Sequence, residues 1–393
     1  MAAEPALHRI TPPDFLTDPA LLAVLGALPG ARLVGGCVRD ALAGRRVADV
    51  DLATPDPPER VARRLEAAGL RAVPTGLEHG TLTAVSGGHG FEVTTLRRDV
   101  ETDGRHATVA WTADWREDAA RRDFTMNAMS MLPDGVVHDY FGGLDDLRAG
   151  RVRFVGEAAA RIAEDTLRVL RFFRFHARYG RGAPDPAALA ALRDGAVGLG
   201  RLSPERVWSE LKRILATPDP AEAVALMAEL GVLAAALPEG ADPARLARLV
   251  TAGAPADPML RLAALLDGDP AALAARLRLS VEERTALLGL RTPPAPSVAM
   301  DDAALRRLLA DTAPALLTGR AWLTGVGEAL APQIAALGRP VFPLEGRDAL
   351  ALGVAPGPAV GALLRRVRAW WMTGGCVADA DACRAELARL APG

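Results

Sequence analysis

Hydrophobic and polar residues follow two different patterns in the two parts of the chain. Before about residue 135, short apolar runs rich in β-branched residues have the length and composition of strands. Segments with helical spacing lie between these runs at 38–43 and at 58–69. Pro57-Pro58 begins the second of these predicted helices and Gly69 ends it. Strands that alternate with helices predict an α/β domain. The four strand-like runs lie at 31–35, 49–53, 80–86 and 91–97.

Beyond about residue 156 the β-branched runs end, and segments rich in Ala, Leu and Arg continue with helical spacing. Ser203-Pro204-Glu205 is typical of a helix start and begins a segment that extends to Leu215. Proline-rich stretches at 218–220 and 292–296 indicate linkers. We therefore predict an α+β fold, in which a small α/β head precedes a long series of helices.

The composition narrows the class of protein. Half of the 393 residues are hydrophobic, so most of the chain is expected to fold. The sequence has no apolar stretch of the roughly 18 residues that indicate a membrane span, and no leader of the secretory type. Its three cysteines argue against a disulfide framework and for a reducing compartment. We expect a soluble, cytoplasmic protein of several domains.

Positive charge is concentrated in one segment, although the formal net charge is only −2. Between Arg148 and Arg178 the sequence has eight arginines and three acidic residues. Such a segment leaves a basic surface available to polyanions. A GC-rich genome is the alternative explanation, because it favours Arg over Lys throughout a protein, and Lys212 is the only lysine.

Gly35-Gly36 lies between a strand-like run and a predicted helix. Glycine lets the backbone approach a ligand closely, and the free N–H groups at a helix start favour a phosphate. Arg39, one turn further, is placed for a bidentate contact with the same anion. The alternative is an ordinary Gly-Gly turn before a helix.

Asp49 and Asp51 begin the next strand-like run. Residues i and i+2 of a strand point to the same face, so we expect both carboxylates to project together. Two like charges on one face are costly unless a cation lies between them, and pairs of divalent metal ions have this role in phosphoryl transfer. Glu92, on a later strand with the same alternation, is a third candidate ligand. A solvated loop and an exposed strand residue are the alternatives.

Arg121-Arg122 precedes an apolar run with helical spacing. Paired arginines at such a position could clamp a triphosphate, whereas the spacing alone favours a solvated face.

The segment 164–174 is also rich in arginine. Helical spacing puts Asp165 beside Arg168, and it predicts an apolar stripe on the opposite side of the helix. An ordinary salt-bridged helix surface is the alternative. The arginines on the polar face are Arg168, Arg171 and Arg174.

Several other chemistries are excluded. The sequence has no Gly-x-x-x-x-Gly-Lys loop, so it is not a Walker-type NTPase. Its six histidines lack the partner pattern of a metal phosphohydrolase, and its cysteines lack the spacing of a zinc site.

These motifs, in this order and spacing, resemble those of the class II CCA-adding tRNA nucleotidyltransferase and bacterial poly(A) polymerase family. The resemblance covers about residues 30–215, and Cys37 stands where the family more often has alanine. The successive motifs are Gly35-Gly36-Cys37-Val38-Arg39-Asp40, Asp49-Val50-Asp51, Arg121-Arg122-Asp123-Phe124-Thr125-Met126-Asn127-Ala128, Asp139-Tyr140-Phe141-Gly142-Gly143 and Glu164-Asp165-Thr166-Leu167-Arg168.

The resemblance implies a four-part chain and a metal-dependent reaction. Asp49 and Asp51 would be the catalytic residues and would hold two Mg²⁺ ions, with Glu92 as a further candidate ligand. The parts would be a nucleotidyltransferase-type α/β head at 1–137, a helical neck at 138–215, a helical body at 216–292 and a helical tail at 293–393.

The resemblance also implies the substrates. The tRNA 3′-hydroxyl would attack the α-phosphate of CTP or ATP and release pyrophosphate. Gly36, Arg39 and Arg122 would bind the incoming triphosphate. The nucleotide-binding face of the neck would be formed by Asp165, Arg168, Arg171 and Arg174.

Asp165 and Arg168 are suited to selecting a base without a nucleic-acid template. The carboxylate accepts a hydrogen bond from an exocyclic amino group, and the guanidinium donates to the adjacent ring nitrogen. Cytosine and adenine present this pair of groups, whereas uracil and guanine present the reverse pattern. Each mismatch costs about 1–3 kcal/mol.

Alternatives within and outside the family remain open. A relative that adds only CC, only the terminal A, or a poly(A) tail shares these motifs. A non-catalytic RNA-binding protein of the same fold is disfavoured by the intact Asp49/Asp51 pair. The basic amphipathic segment 361–371 is expected to pack with a solvated arginine face, and a direct tRNA contact is its alternative.

Overall fold

The computed structural model describes residues 4–102 and 107–391, with the backbone alone at 79, 99–102 and 107–109. These residues form two compact units. The first combines the described residues up to Thr217 with Glu222–Ala236, and the second combines Pro218–Ala221 with those from Leu237 onward. Within the described ranges, no helix is both long and apolar enough to cross a membrane. The finer division into head, neck, body and tail stays a prediction.

A mixed sheet and a two-stranded ribbon organise the first unit. The strands are β1 (Ala6–Arg9), β2 (Arg32–Val34), β3 (Asp51–Thr54), β4 (Arg71–Gly76), β5 (Thr81–Ser86), β6 (His89–Thr95), β7 (Arg97–Thr102), β8 (Ala107–Trp111), β9 (Ser130–Met131) and β10 (Val136–Asp139). The eight-stranded sheet has the order β1-β10-β9-β2-β3-β6-β5-β4, and β7 pairs with β8. Only β3 and β6 pair in parallel within the described part of this sheet.

Helices cover the sheet and continue beyond it. Those that begin before residue 237 are α1 (Pro19–Ala27), α2 (Gly36–Leu42), α3 (Pro58–Ala67), α4 (Trp115–Ala120), α5 (Gly143–Ala149), α6 (Ala158–Glu164), α7 (Arg168–Tyr179), α8 (Pro186–Gly195), α9 (Pro204–Leu215), α10 (Ala221–Glu229) and α11 (Val232–Ala236). The predicted α+β fold is therefore confirmed, and so are the predicted helices at α2, α3 and α9.

The four predicted strands correspond to β2, β3, β5 and β6. The prediction that Asp49 belongs to a strand is wrong, because β3 begins only at Asp51. Its antiparallel neighbour β2 ends at Val34, where the chain turns into α2, so the residues before Asp51 have no partner on that side. The sequence pattern also missed the remaining strands, which include the two-residue β9.

A cluster of aromatic rings fixes α7 against the strand-bearing part of the first unit. Phe124 and Phe154 form an isolated antiparallel bridge, and their ring centroids lie 4.9 Å apart. Phe172 of α7 stacks on Phe154 at 5.9 Å. All three side chains are fully buried, so the opposite, arginine-bearing side of α7 has a fixed orientation.

The second unit is helical. Within it, α20 buries Leu363, Val367 and Trp371 and exposes Arg365 and Arg366, which confirms the predicted packed helix. Its helices are α12 (Pro243–Thr251), α13 (Pro258–Leu265), α14 (Pro270–Arg276), α15 (Val281–Arg291), α16 (Asp302–Asp311), α17 (Pro314–Leu323), α18 (Gly327–Leu337), α19 (Gly346–Leu350), α20 (Pro358–Thr373) and α21 (Ala380–Leu390).

Candidate active site

Gly35 connects β2 to α2 and requires the freedom of glycine. Its φ of +70° is a conformation that residues with a side chain rarely adopt. A Cβ atom built at Gly35 would lie 3.0 Å from Nη1 of Arg122. The absent side chain therefore permits both the turn and the close approach of this guanidinium.

Arg39 of α2 is held by polar and aromatic partners. Its Nη1 donates to Asn127 Oδ1 at 2.7 Å, and its Nε and Nη2 donate to the Asp40 carboxylate at 3.1 and 3.0 Å. The guanidinium carbon lies 5.0 Å from the ring centroid of Phe175 and 4.8 Å from that of Tyr179. Arg39 is thus fixed in one orientation before any ligand binds.

Asp51, at the start of β3, is half-buried and pairs in parallel register with Glu92 of β6. Burial raises the pKa of the Asp51 carboxyl, as do the charges of Glu92 and Asp49, while Arg122 acts in the opposite direction. Within the described part of the chain, none of these three carboxylates makes a hydrogen bond or an ion pair. The negative charge at this edge of the sheet is therefore not fully compensated.

The three predicted metal ligands are not gathered into a preformed set. Asp49 is exposed and lies before β3, and Glu92 is exposed on β6. In the residues that the structure describes, no group of three His, Cys, Asp or Glu side chains is arranged to hold a metal ion. The structure thus pairs Asp51 with Glu92 and leaves Asp49 on the adjoining loop.

Arg121 and Arg122 do not begin a helix, contrary to the prediction. They follow the end of α4, and Asp118 of that helix lies between them, with N–O distances of 2.8 Å to Arg121 and 3.2 Å to Arg122. Burial opposes the ionisation of Asp118, but Arg122 and Arg121 outweigh it and lower its pKa. Both guanidiniums are mostly buried, so the solvated face that the spacing favoured is also wrong.

Asp165 does not share a helix with Arg168, contrary to the prediction. Helix α6 ends at Glu164, Asp165 is extended (φ −151°, ψ 105°), and α7 begins at Arg168. The Asp165 side chain accepts from the backbone N–H of Leu167 at 3.1 Å, a local bond that competes with helix formation. Its second oxygen accepts from Arg206 Nη2 at 2.8 Å.

Arg168 binds acceptors from two other segments. Its Nη1 donates to Glu164 Oε2 at 2.6 Å and to the carbonyl of Arg161 at 2.9 Å. Its Nη2 donates to the carbonyl of Arg121 at 3.2 Å. The Asp165–Arg168 contact expected from helical spacing is replaced by these separate partners, although both residues line the same cavity.

Arg171 and Arg174 pair with buried acids. Nε of Arg171 donates to Asp123 at 2.8 Å. Burial would raise the pKa of Asp123, but the charge of Arg171 and the hydrogen bonds to the carboxylate outweigh burial and lower it. Nη1 of Arg174 donates to Glu210 at 3.2 Å. Burial lowers the pKa of Arg174 to about 10, although Glu210 acts in the opposite direction. A buried cation of this kind is stabilised further by an anionic ligand.

These side chains line one cavity of about 420 Å³. Eight of the predicted site residues lie on its walls, and only Asp49 and Glu92 do not. Six arginines and three aspartates give the lining an excess of positive charge, which suits a polyanion. The lining residues are Gly35, Gly36, Arg39, Asp51, Arg122, Asp123, Asn127, Asp165, Leu167, Arg168, Arg171, Arg174, Phe175 and Arg206.

Four polar residues of this site were missed in the sequence. Arg206 and Glu210 occupy neighbouring turns of α9, and their i, i+4 spacing was the one available signal. Asp123 and Asn127 hydrogen-bond each other at 2.9 Å, and the signal available for them was their place in the motif Arg121–Ala128.

Comparison with known proteins gives the family. The poly A polymerase head domain family matches residues 31–153, and the family described as the probable RNA and SrmB- binding site of polymerase A matches residues 183–242. The human CCA tRNA nucleotidyltransferase 1, mitochondrial, is 37% identical over 372 residues, which cover 89% of this chain and 84% of that protein. This chain belongs to the CCA tRNA nucleotidyltransferase family. The sequence resemblance is thereby confirmed.

Two further CCA-adding relatives extend the comparison. The Danio rerio CCA tRNA nucleotidyltransferase 1, mitochondrial, is 44% identical over 268 residues, which cover 66% of this chain and 62% of that protein. The crystal structure of the Bacillus stearothermophilus CCA-adding enzyme in complex with CTP superposes with a TM-score of 0.73 at 27% identity. That match covers 95% of this chain and 98% of the other, so the likeness includes both compact units.

Proposed function

We propose that this enzyme adds CCA to the 3′ end of tRNA from CTP and ATP and releases pyrophosphate. One observation carries the proposal: Asp51, Asp165 and Arg168 line the same cavity of about 420 Å³. A nucleotide in this space would have its phosphates among arginines and its base against the Asp165–Arg168 wall.

Asp165 and Arg168 retain capacity for a base. An ionised carboxylate has about four acceptor sites and a guanidinium has five N–H donors. Leu167 and Arg206 use two acceptor sites of Asp165, and three carbonyl or carboxylate oxygens use three donors of Arg168. The remaining positions can serve an exocyclic amino group and the adjacent ring nitrogen, the pair that cytosine and adenine share.

The triphosphate is assigned to Gly36, Arg39 and Arg122. Arg39 is anchored by side-chain partners and Arg122 by one side-chain and one backbone partner, so both are preorganised and lose little conformational freedom when the ligand binds. Arg171 and Arg174 add positive charge on α7. This arrangement favours a bidentate grip on phosphate oxygens.

The carboxylates at Asp49, Asp51 and Glu92 fit Mg²⁺. Hard oxygen ligands suit this ion. Burial raises the pKa of Asp51, and so do the charges of Glu92 and Asp49, which a cation would compensate. Bound there, Mg²⁺ would supply the positive charge that activates the primer 3′-hydroxyl and stabilises the leaving pyrophosphate.

The activity is tested with tRNA transcripts that lack CCA or end in C or CC, each incubated with Mg²⁺ and one labelled nucleotide at a time. We expect CTP to extend the first two transcripts and ATP to extend the third, after which addition stops. Addition of C alone identifies a CC-adding enzyme, and addition of A alone to the transcript ending in CC identifies an A-adding enzyme. Continued ATP addition identifies a poly(A) polymerase, the activity that the matching head-domain family suggests.

Gly35→Ala is expected to weaken CTP binding, with KM for CTP rising about tenfold. The new Cβ would displace the Arg122 guanidinium, which lies 3.0 Å away, and the positive φ adds strain of about 1–3 kcal/mol. Steady-state kinetics and thermal unfolding measure the two effects separately.

Gly30→Ala is the matched control for this variant. Gly30 also has a positive φ, of +90°, but a Cβ there would have no neighbour within 4 Å. Gly30→Ala should lower the midpoint of thermal unfolding by about as much as Gly35→Ala does and should leave KM for CTP unchanged. Equal changes of KM in both variants would contradict the assignment of Arg122 to the triphosphate.

A cytoplasmic location is proposed from the cysteines. Cys37, Cys376 and Cys383 are all buried free thiols, as is usual in a reducing compartment. The vertebrate relatives carry the word mitochondrial in their names, so a mitochondrial location is the alternative. Fractionation of the source cells separates the two.

A further inference from the structure

A second cavity, of about 550 Å³, lies at the C-terminal ends of α2, α5 and α7. Four arginines line it: Arg45 after α2, Arg148 on α5, Arg178 on α7 and Arg181 after α7. Tyr179 forms another part of the wall, and no lining residue is acidic. The cavity does not share a lining residue with the candidate active site.

Uncharged partners hold these guanidiniums. Nη2 of Arg45 donates to the carbonyl of Arg178, and Nη2 of Arg181 donates to the carbonyl of Arg148, both at 2.8 Å. The guanidinium carbons of Arg45 and Arg178 lie 5.0 and 5.7 Å from the ring centroid of Tyr179. The side chains are therefore positioned without neutralisation of their charge.

The four arginines of this cavity have little pairing with carboxylates. Among the described residues, the four arginines make one ion pair, between Arg148 and Asp145 at 3.9 Å, and both of these side chains are mostly exposed. An ion pair of this length and exposure contributes little. The four charges thus lack an acidic partner inside the cavity.

The negative ends of the three helix dipoles do not compensate the positive charge of the four arginines. Each helix C-terminus carries at most about −0.5 of an elementary charge, so three ends supply at most about −1.5. More than half of the positive charge remains uncompensated. This surplus indicates a ligand with more than one negative charge.

The backbone also shapes this wall. The N–H of Arg181 donates to the carbonyl of Gly150 at 2.8 Å. A Cβ at Gly150 would lie 2.7 Å from Cβ of Arg181, and its φ is +69°. Glycine therefore allows Arg181 to lie directly against the end of α5.

Two helices connect this cavity to the candidate active site. Helix α2 contributes Arg39 to the active site and Leu42 to the arginine cavity, and α7 contributes Arg174 and Arg178 in the same way. Four residues along a helix correspond to about 6 Å. The nearest lining residues of the two cavities are therefore about one helical turn apart.

We propose that the arginine cavity binds the phosphodiester backbone of the RNA primer, close to the nucleotide that carries the reacting 3′-hydroxyl. This inference rests on the proposed function, since a primer end held at the active site brings its next phosphates within a turn or two of these helices. Guanidinium groups bind phosphate oxygens in bidentate fashion. The cavity would hold the primer strand in place while successive nucleotides enter the active site.

Arg148→Gln/Arg178→Gln tests the proposal, because neither guanidinium makes a hydrogen bond within the described residues. We expect the affinity for a tRNA transcript lacking CCA, measured by fluorescence anisotropy without nucleotide, to fall about tenfold. The slope of log affinity against log salt should decrease by about 1.4, which corresponds to two phosphate contacts on a single strand. KM for CTP should not change.

Arg63→Gln/Arg71→Gln is the matched control, since it removes the same charge from two exposed arginines outside both cavities. It should change tRNA affinity less than twofold. Thermal midpoints of both double variants check folding, and the single variant Arg148→Gln, exposed at its side chain, should still lower affinity about threefold.

The outcomes separate this proposal from the proposed function. If the wild type incorporates CTP and both double variants bind tRNA equally, the cavity proposal fails and the function stands. If the wild type incorporates nothing but the cavity variant alone loses tRNA affinity, the function fails and the cavity still binds RNA. Inhibition of CTP incorporation by inorganic tripolyphosphate gives the third outcome. If Arg148→Gln/Arg178→Gln weakens this inhibition but not the affinity for tRNA, the cavity holds a free phosphate chain and the proposal is overturned.

Discussion

Asp51→Asn is expected to reduce nucleotide incorporation by roughly 10³-fold or more, with the fold retained. Asp51 begins β3 in register with Glu92, and its carboxyl is half-buried beside two other acids. Asn has the same size but no charge, so it cannot hold a divalent cation against the substrate phosphates. A loss of several kcal/mol of transition-state stabilisation corresponds to this rate effect. Single-turnover incorporation of labelled CTP measures it.

A measurement of the free energy of unfolding distinguishes this loss of activity from unfolding of the variant. Burial and the charges of Glu92 and Asp49 raise the pKa of Asp51, so its ionised form destabilises the folded state at neutral pH. Asn removes that cost, so the free energy of unfolding should stay constant or rise. Asp194→Asn, at an exposed position on α8, is the control and should alter neither quantity.

Two neighbouring variants define the metal ligands further. Asp49→Asn should cause a loss similar to that of Asp51→Asn, although Asp49 lies outside the strand. Glu92→Gln tests whether Glu92 is a metal ligand or an exposed strand residue, since the apparent affinity for Mg²⁺ should fall only if a ligand is lost. Incorporation by Asp51→Asn within tenfold of the wild type would contradict the assignment of the metal site to these carboxylates.

Features of the site that depend on local sequence were predictable. The strand before Gly35, the helix that carries Arg39 and the strand that carries Asp51 each follow from residues within one element. Glu92 was a candidate ligand because its strand has the same alternation, and parallel pairing places it opposite Asp51. Eight of the predicted residues meet in one cavity because these elements pack around it.

Features that depend on tertiary partners were not predictable from periodicity. Helical spacing from 164 to 174 gave no sign that the Asp165 carboxylate would accept from the N–H of Leu167 and that the helix would be interrupted there. Arg121 and Arg122 looked solvated because the packing that buries them is tertiary, although their acidic partner Asp118 stands at helical i, i+3 and i, i+4 spacing from them. Arg206 reaches Asp165 from a helix about forty residues later, a separation that a single sequence does not encode.

Asp165→Ala is expected to relax the choice of base while leaving triphosphate binding largely intact. Removal of the carboxylate eliminates the acceptor for the amino group of cytosine or adenine. Discrimination of CTP over UTP, measured as the ratio of kcat/KM values, should fall by about 10- to 100-fold, as a loss of 1–3 kcal/mol requires. KM for the triphosphate should change only a few-fold, because Arg39 and Arg122 are not altered.

Arg206→Gln separates base recognition from positioning in this experiment. Asp165 also accepts from Arg206 and from the N–H of Leu167, so Asp165→Ala removes structural contacts together with the base contact. Arg206→Gln breaks the 2.8 Å ion pair but keeps the carboxylate that would meet the base. If Asp165 acts directly, only Asp165→Ala loses discrimination against UTP, and Arg206→Gln lowers kcat for CTP and ATP alike. If both variants lose discrimination equally, Asp165 acts by holding α7 and α9 together, and a residue other than Asp165 contacts the base.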